Sequence, residues 1–142
     1  MPSWEAHDAA DNELPDGKTA EAAVAALRKL RGQRFFLAAG FLKPHLPFVA
    51  PKKYYDLYPE NEIELTENTT PPLDTPGFAL HGSEELRGYN DIPPTGPIPD
   101  DKARELIRGY YASISYADAQ IGKLINALDE LGLRDNTVIV LW

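Results

Sequence analysis

The chain has 142 residues, 43% of them hydrophobic, no cysteine and a net charge of −8. That suffices for one ordinary domain and excludes disulfides, thiolate metal sites and a cysteine nucleophile within these residues. The acidic balance argues against a nucleic-acid partner, which needs clustered Lys and Arg, and no apolar run nears the roughly 20 residues that cross a bilayer, so no membrane partner is expected.

Met1 to Pro15 carries no periodicity and reads as an extended lead-in, with neither the basic nor the apolar region of a signal peptide. The compartment stays open, because any export signal of a longer parent would lie upstream. Asp16-Gly17-Lys18-Thr19 offers capping chemistry for a helix to about Arg31. Ala20, Ala23, Val24, Leu27 and Leu30 form its apolar stripe, Lys29 and Arg31 suit its dipole, and Gly32 is a natural C′ residue. Arg34 to Ala39, short and apolar, then reads as a first buried strand.

Directly after it comes Lys43-Pro44-His45-Leu46-Pro47-Phe48. Two prolines fix φ around one histidine, which predicts a stiff, extended stretch at the carboxyl end of a strand, where open α/β sheets place ligand-contacting groups. From the local pattern alone, His45 could equally bond a nearby carbonyl in a proline-rich loop. Lys43, His45, Lys52 and Lys53 form the one local basic cluster, the best place on the chain for a small anion. Lys52 and Lys53 also read simply as a solvated pair.

Gly40 to Pro99 holds eleven of the 13 prolines and no clear period. Its aromatic and aliphatic residues, among them Tyr54, Tyr55, Ile63, Phe78, Leu80 and Tyr89, predict an ordered wrapping loop with a short helix near Lys52–Tyr58. The nine acids between Tyr54 and Asp91 face Arg87 as their only cation and read as a solvated acidic loop, with no calcium-loop pattern. His7 reads as solvated and His81 as structural, and Asn68-Thr69-Thr70 matches the glycosylation triplet.

From Asp100 or Asp101 a long helix is predicted, with Ile107, Tyr110, Ile114, Ala117, Ile121, Leu124, Leu128 and Leu131 as one face and Gly132 as its stop. Thr137 to Trp142 is strongly β-prone. Strand, excursion, helix, strand predicts a right-handed crossover between parallel strands, hence an α/β fold. Two strands and two helices leave sheet faces uncovered, so 1–142 reads as a central fragment, incomplete at both ends, with exposed apolar surface prone to self-association.

Two blocks carry a resemblance. Phe35 to Phe48, continued by Pro51-Lys52-Lys53-Tyr54-Tyr55-Asp56-Leu57-Tyr58-Pro59, resembles the central part of the type I sulfatases, above all the iduronate-2-sulfatase-like branch. Gly109 to Gly122 resembles that branch's long helix, and Leu128 to Thr137 continues it; the likeness runs from Asp16 to Trp142. It implies a partial alkaline-phosphatase/sulfatase-like fold and hydrolysis of sulfate esters, such as those of sulfated carbohydrates. It implies a formylglycine nucleophile made from a Cys/Ser-x-Pro-x-Arg motif, and a calcium ion on the sulfate oxygens. His45 matches the family histidine that points at the sulfate near its bridging oxygen, and Lys43 the lysine before it.

The departures are equally plain. The formylglycine motif, the early Asp pair that holds calcium, the Asp-His-Gly block and the later lysine are absent from residues 1–142. The chain alone is therefore expected to be catalytically silent, with calcium and formylglycine belonging outside it. Competing readings are a free-standing anion- or sulfated-glycan-binding module, a non-catalytic interaction protein, and a relative acting on phosphate or phosphonate esters.

Overall fold

The computed structural model describes residues 1–142. Its first element is a strand in the expected lead-in. β1 (Trp4–His7) alternates, with Trp4 and Ala6 turned inward and Glu5 and His7 outward. α1 (Pro15–Leu30) follows, with Ala20, Ala23 and Leu27 buried along one stripe as the spacing predicts. It ends at Gly32, whose φ of +82° is the left-handed conformation a C′ glycine supplies.

β2 (Phe48–Pro51) pairs with β1 in parallel, Trp4 opposite Phe48 and Ala6 opposite Ala50. This is the only sheet, and neither of its strands is one the sequence predicts. α2 (Lys52–Tyr55) continues from β2 and is shorter than expected, while α3 (Glu84–Arg87) is a single turn in the long loop. α4 (Asp100–Glu130) is the 31-residue helix, about 46 Å long at 1.5 Å per residue. It closes as a Schellman turn, with Leu133 N–H on the Leu128 carbonyl and Gly132 N–H on that of Asp129.

The predicted strands at 34–39 and 137–142 do not form. Both segments are extended, yet no backbone group from Arg34 to Phe41 or from Val138 to Trp142 has a hydrogen-bond partner. Phe35, Leu37 and Leu133 rest on the Leu27–Ala127–Leu128 cluster between α1 and α4, whereas Phe36 and Trp142 stand almost fully in solvent. The crossover therefore runs between β1 and β2, and the expected one is corrected: β propensity makes a strand only where a neighbour supplies the ladder.

The buried face of α4 is also rotated from the predicted stripe. Leu106, Gly109, Ala112, Ser113, Tyr116, Ala117, Gln120, Ala127 and Leu128 are buried, while Tyr110 and Ile114 are exposed. Small residues won because the sheet lies close: a Cβ at Gly109 would stand 3.0 Å from Phe48 Cβ and 3.3 Å from Trp4 Cβ. Trp4 packs on Tyr55 (centroids 5.7 Å apart) and donates from Nε1 to Glu105 at 3.0 Å.

The long loop wraps the fold as expected through Tyr54, Tyr55 and Ile63 and again at Ile92, all buried, but between them Phe78 and Leu80 are exposed, against the expectation. Arg87 donates to the carbonyls of Gly82, Pro93 and Gly96 rather than to the acids around it. Asp91 receives the Ser3 amide at 2.8 Å and the Ser3 hydroxyl at 2.7 Å, which pins the loop's end beside β1.

Candidate functional site: the Lys43–Phe48 turn

The stretch around His45 is turned, not extended. Both X-Pro bonds, Lys43-Pro44 and Leu46-Pro47, are cis, and His45 N–H reaches back to the Leu42 carbonyl at 3.0 Å. The turn is held at both ends. Phe48 N–H enters the sheet on the Ser3 carbonyl at 2.8 Å. At the start, the Asp16 carboxylate accepts Leu42 N–H at 2.8 Å and Lys43 N–H at 2.9 Å.

The His45 side chain is 58% exposed. Its Nδ1 lies 2.7 Å from the Leu46 carbonyl. A carbonyl only accepts, so Nδ1 carries the proton, and the neutral ring keeps its lone pair on Nε2. Nε2 faces outward, 3.5 Å from a Glu85 carboxylate oxygen on α3. The ring thus meets a main-chain carbonyl on one side, as the plainer sequence reading allows, while its other nitrogen is open to a ligand that displaces the exposed Glu85 carboxylate.

Lys43 points into the turn. Its Nζ donates to the carbonyls of His45 at 3.1 Å and Pro47 at 2.5 Å. Burial pulls the ammonium below its ordinary pKa, while the nearby Asp16 charge opposes this. Lys52 pairs with Asp56 at 2.6 Å and Lys53 with Asp11 at 2.7 Å. The basic cluster read from the sequence is therefore largely engaged, and it offers a free anion less charge than the residue types imply.

No three His, Asp or Glu side chains converge to hold a metal ion. Glu85 faces the turn alone, at His45 Nε2, and the buried or half-buried acids are already committed: Asp16 to two amides, Asp11 to Lys53 and Lys123, Asp91 to Ser3 and Lys102. The donor set of these residues does not fit a calcium site.

A groove of about 670 Å³ lies elsewhere, between the unpaired segments, lined by Phe35, Leu37, Val138, Val140 and Trp142 among others. Asp16 is the participant the sequence reading missed. In Asp16-Gly17-Lys18-Thr19 it looks like a cap, but the helix begins one residue earlier, at Pro15, after an N-cap Leu14 without a side-chain bond. Proline at N1 was the available signal, since it moves Asp16 inside the first turn.

A family model described as Sulfatase matches residues 4–142. The chain belongs to the sulfatase family. Iduronate 2-sulfatase of Mus musculus is 38% identical to this sulfatase chain over 140 residues, 93% of the chain and 25% of that relative. Iduronate 2-sulfatase of Homo sapiens is 37% identical over 140 residues, 93% of the chain and 26% of the relative. A protein described as Sulfatase from Formosa agariphila (strain DSM 15362 / KCTC 12365 / LMG 23005 / KMM 3901 / M-2Alg 35-1) is 32% identical over 153 residues, 98% of the chain and 27% of the relative. The sulfatase chain thus spans about a quarter of the length of the curated relatives it matches. Its mixed α/β architecture, with a parallel sheet and packed helices, agrees with a part of the sulfatase and alkaline-phosphatase fold.

Proposed function

We propose that residues 1–142 are the central part of a longer sulfuric ester hydrolase of the iduronate-2-sulfatase-like type, acting on sulfate esters such as those of sulfated carbohydrates. In this reading His45 meets the ester near its bridging oxygen. The observation that carries it is the outward Nε2 of a ring whose Nδ1–H is held by the Leu46 carbonyl.

The chemistry follows from that tautomer. A second proton can enter the ring only at Nε2, so the imidazolium presents Nε2–H outward. An arriving sulfate ester replaces the Glu85 carboxylate as its partner. As the S–O bond breaks, charge grows on the leaving alkoxide. The imidazolium stabilises it through this hydrogen bond, or passes it the proton and becomes neutral. General acid catalysis of this kind is worth about 10²–10⁴ in rate. Lys43 adds positive potential through the turn while bracing its carbonyls. The formylglycine nucleophile and the calcium ion of the family belong to residues outside 1–142, so the isolated chain binds weakly and turns nothing over.

A chromogenic sulfate ester with calcium present tests the reading. The longer polypeptide should hydrolyse it, the 142-residue chain should not, and His45→Ala should lose activity. Turnover by the isolated chain, or full activity of His45→Ala, overturns it.

A further inference from the structure

We propose that Asp16 is the positioning residue for His45, setting the imidazole through the backbone of Leu42 and Lys43; the claim rests on the reading of His45 given above. Asp16 is 3% exposed, and its two carboxylate oxygens accept one amide each from residues 26 and 27 positions away, at 2.8 and 2.9 Å. An acid that served only the dipole of α1 would do so from the water-facing side, without losing hydration. Burial of this carboxylate on two amides of another segment marks a grip rather than a helix device.

The mount beneath that grip is rigid. Gly17 N–H donates to the Tyr116 hydroxyl at 2.7 Å, and that hydroxyl donates to the Asp11 carbonyl at 2.9 Å. A Cβ at Gly17 would fall 1.8 Å from the Asp11 oxygen, so only glycine allows this approach. Asp16 is thus fixed to α4 through its neighbour. From the gripped amide of Lys43 a single proline leads to His45, and three residues beyond His45 the chain is held again, by Phe48 N–H on Ser3. Within this short span the His45 amide and the Lys43 ammonium bind the turn to itself. Asp16 is the one charged group that ties the turn to the body of the fold through its backbone, so the direction of the ring depends on it.

Two readouts test this. In the 142-residue chain, Asp16→Asn keeps the size but places an amide N–H against one of two donors. NMR should show the Leu42 and Lys43 amide protons moving upfield and exchanging about tenfold faster. The His45 ring nitrogens should shift from the Nδ1–H tautomer toward an unrestrained mixture, with the Ala20 and Ala23 amides unmoved. Unchanged ring signals beside changed amides overturn the proposal. Should Asp16→Asn unfold the chain, Tyr116→Phe decides: it loosens the mount without touching the carboxylate and should move the His45 ring in the same direction, whereas an unmoved ring overturns the claim. In the longer hydrolase, Asp16→Asn should lower kcat about tenfold to a hundredfold with KM little changed, and add nothing in a His45→Ala background. Equal losses in both backgrounds overturn it. If the wild-type polypeptide hydrolyses no sulfate ester, the functional reading fails, and the NMR comparison still decides the positioning claim.

Discussion

Asp16 and Lys43 meet through a main-chain hydrogen bond and not as a salt bridge. The carboxylate accepts the Lys43 amide at 2.9 Å, while the Lys43 ammonium turns to the carbonyls of His45 and Pro47. Two residues of opposite sign thereby hold opposite sides of one short turn. A plain ion pair would leave the turn's amides and carbonyls to water. This division leaves the His45 ring as the turn's outward group.

If the chain is part of a longer hydrolase as proposed, His45→Ala there should lower kcat by about 10²–10⁴. The loss should grow as the leaving group becomes more basic, because an alkoxide needs the Nε2 proton more than a phenoxide does. A series of aryl and alkyl sulfates, compared by kcat, checks the trend. An equal loss across the series would mean the ring does not act on the leaving oxygen.

Asp11 predicts an acid limb in stability. Burial alone raises its carboxyl, but Lys53, Lys123, Gln120 and Tyr54 outweigh that and hold it at about 2, against 3.8 unperturbed. A folded pKa below the unfolded one gives stability that is present above the unfolded value and lost as pH falls through the folded value. Urea midpoints should therefore fall between pH 4 and pH 2 in the wild type. In Asp11→Asn that part of the slope should be absent, with lower stability at pH 7.

Two glycines of α4 should respond in opposite ways to the same change. Gly109→Ala drives a methyl group to 3.0 Å from Phe48 Cβ and should destabilise the fold by about 1–3 kcal/mol despite better helix propensity. Gly122 has nothing within 4 Å of an added Cβ, so Gly122→Ala should stabilise by about 1 kcal/mol. Denaturant titrations of both variants check the sign.

Tyr116→Phe should cost about 1–3 kcal/mol, because it strands the buried Gly17 N–H and removes the donor to the Asp11 carbonyl. The same burial pushes the Tyr116 hydroxyl up to about 12, so ultraviolet titration should show it ionising after the exposed tyrosines.

The unpaired segments predict association of the isolated chain. Phe36, Val138 and Trp142 are each at least 90% exposed, beside backbone groups without partners. Sedimentation at micromolar concentration should show oligomers, and Phe36→Glu with Val138→Lys should shift the chain toward monomer.

Local chemistry was legible in the sequence. The helix over 16–31, its stripe at Ala20, Ala23 and Leu27, and the stops at Gly32 and Gly132 follow from spacing and from the left-handed backbone that glycine alone adopts freely. The two residue blocks carried the family, and the prolines around His45 marked a stiff segment, though as an extended stretch and not as the turn it forms. What the sequence could not decide is whatever depends on a partner far along the chain. Apolar runs at 34–39 and 137–142 have strand propensity but find no ladder, whereas the plain segments Trp4–His7 and Phe48–Pro51 find one another. The buried side of α4 was set by how closely the sheet approaches, which favours Gly109 and Ala112 over Ile114. Asp16 reads as a cap until the fold brings two amides from residues 42 and 43 against it. Propensity and capping are properties of a few neighbouring residues; pairing, burial and the aim of a side chain are set by what the tertiary structure places opposite.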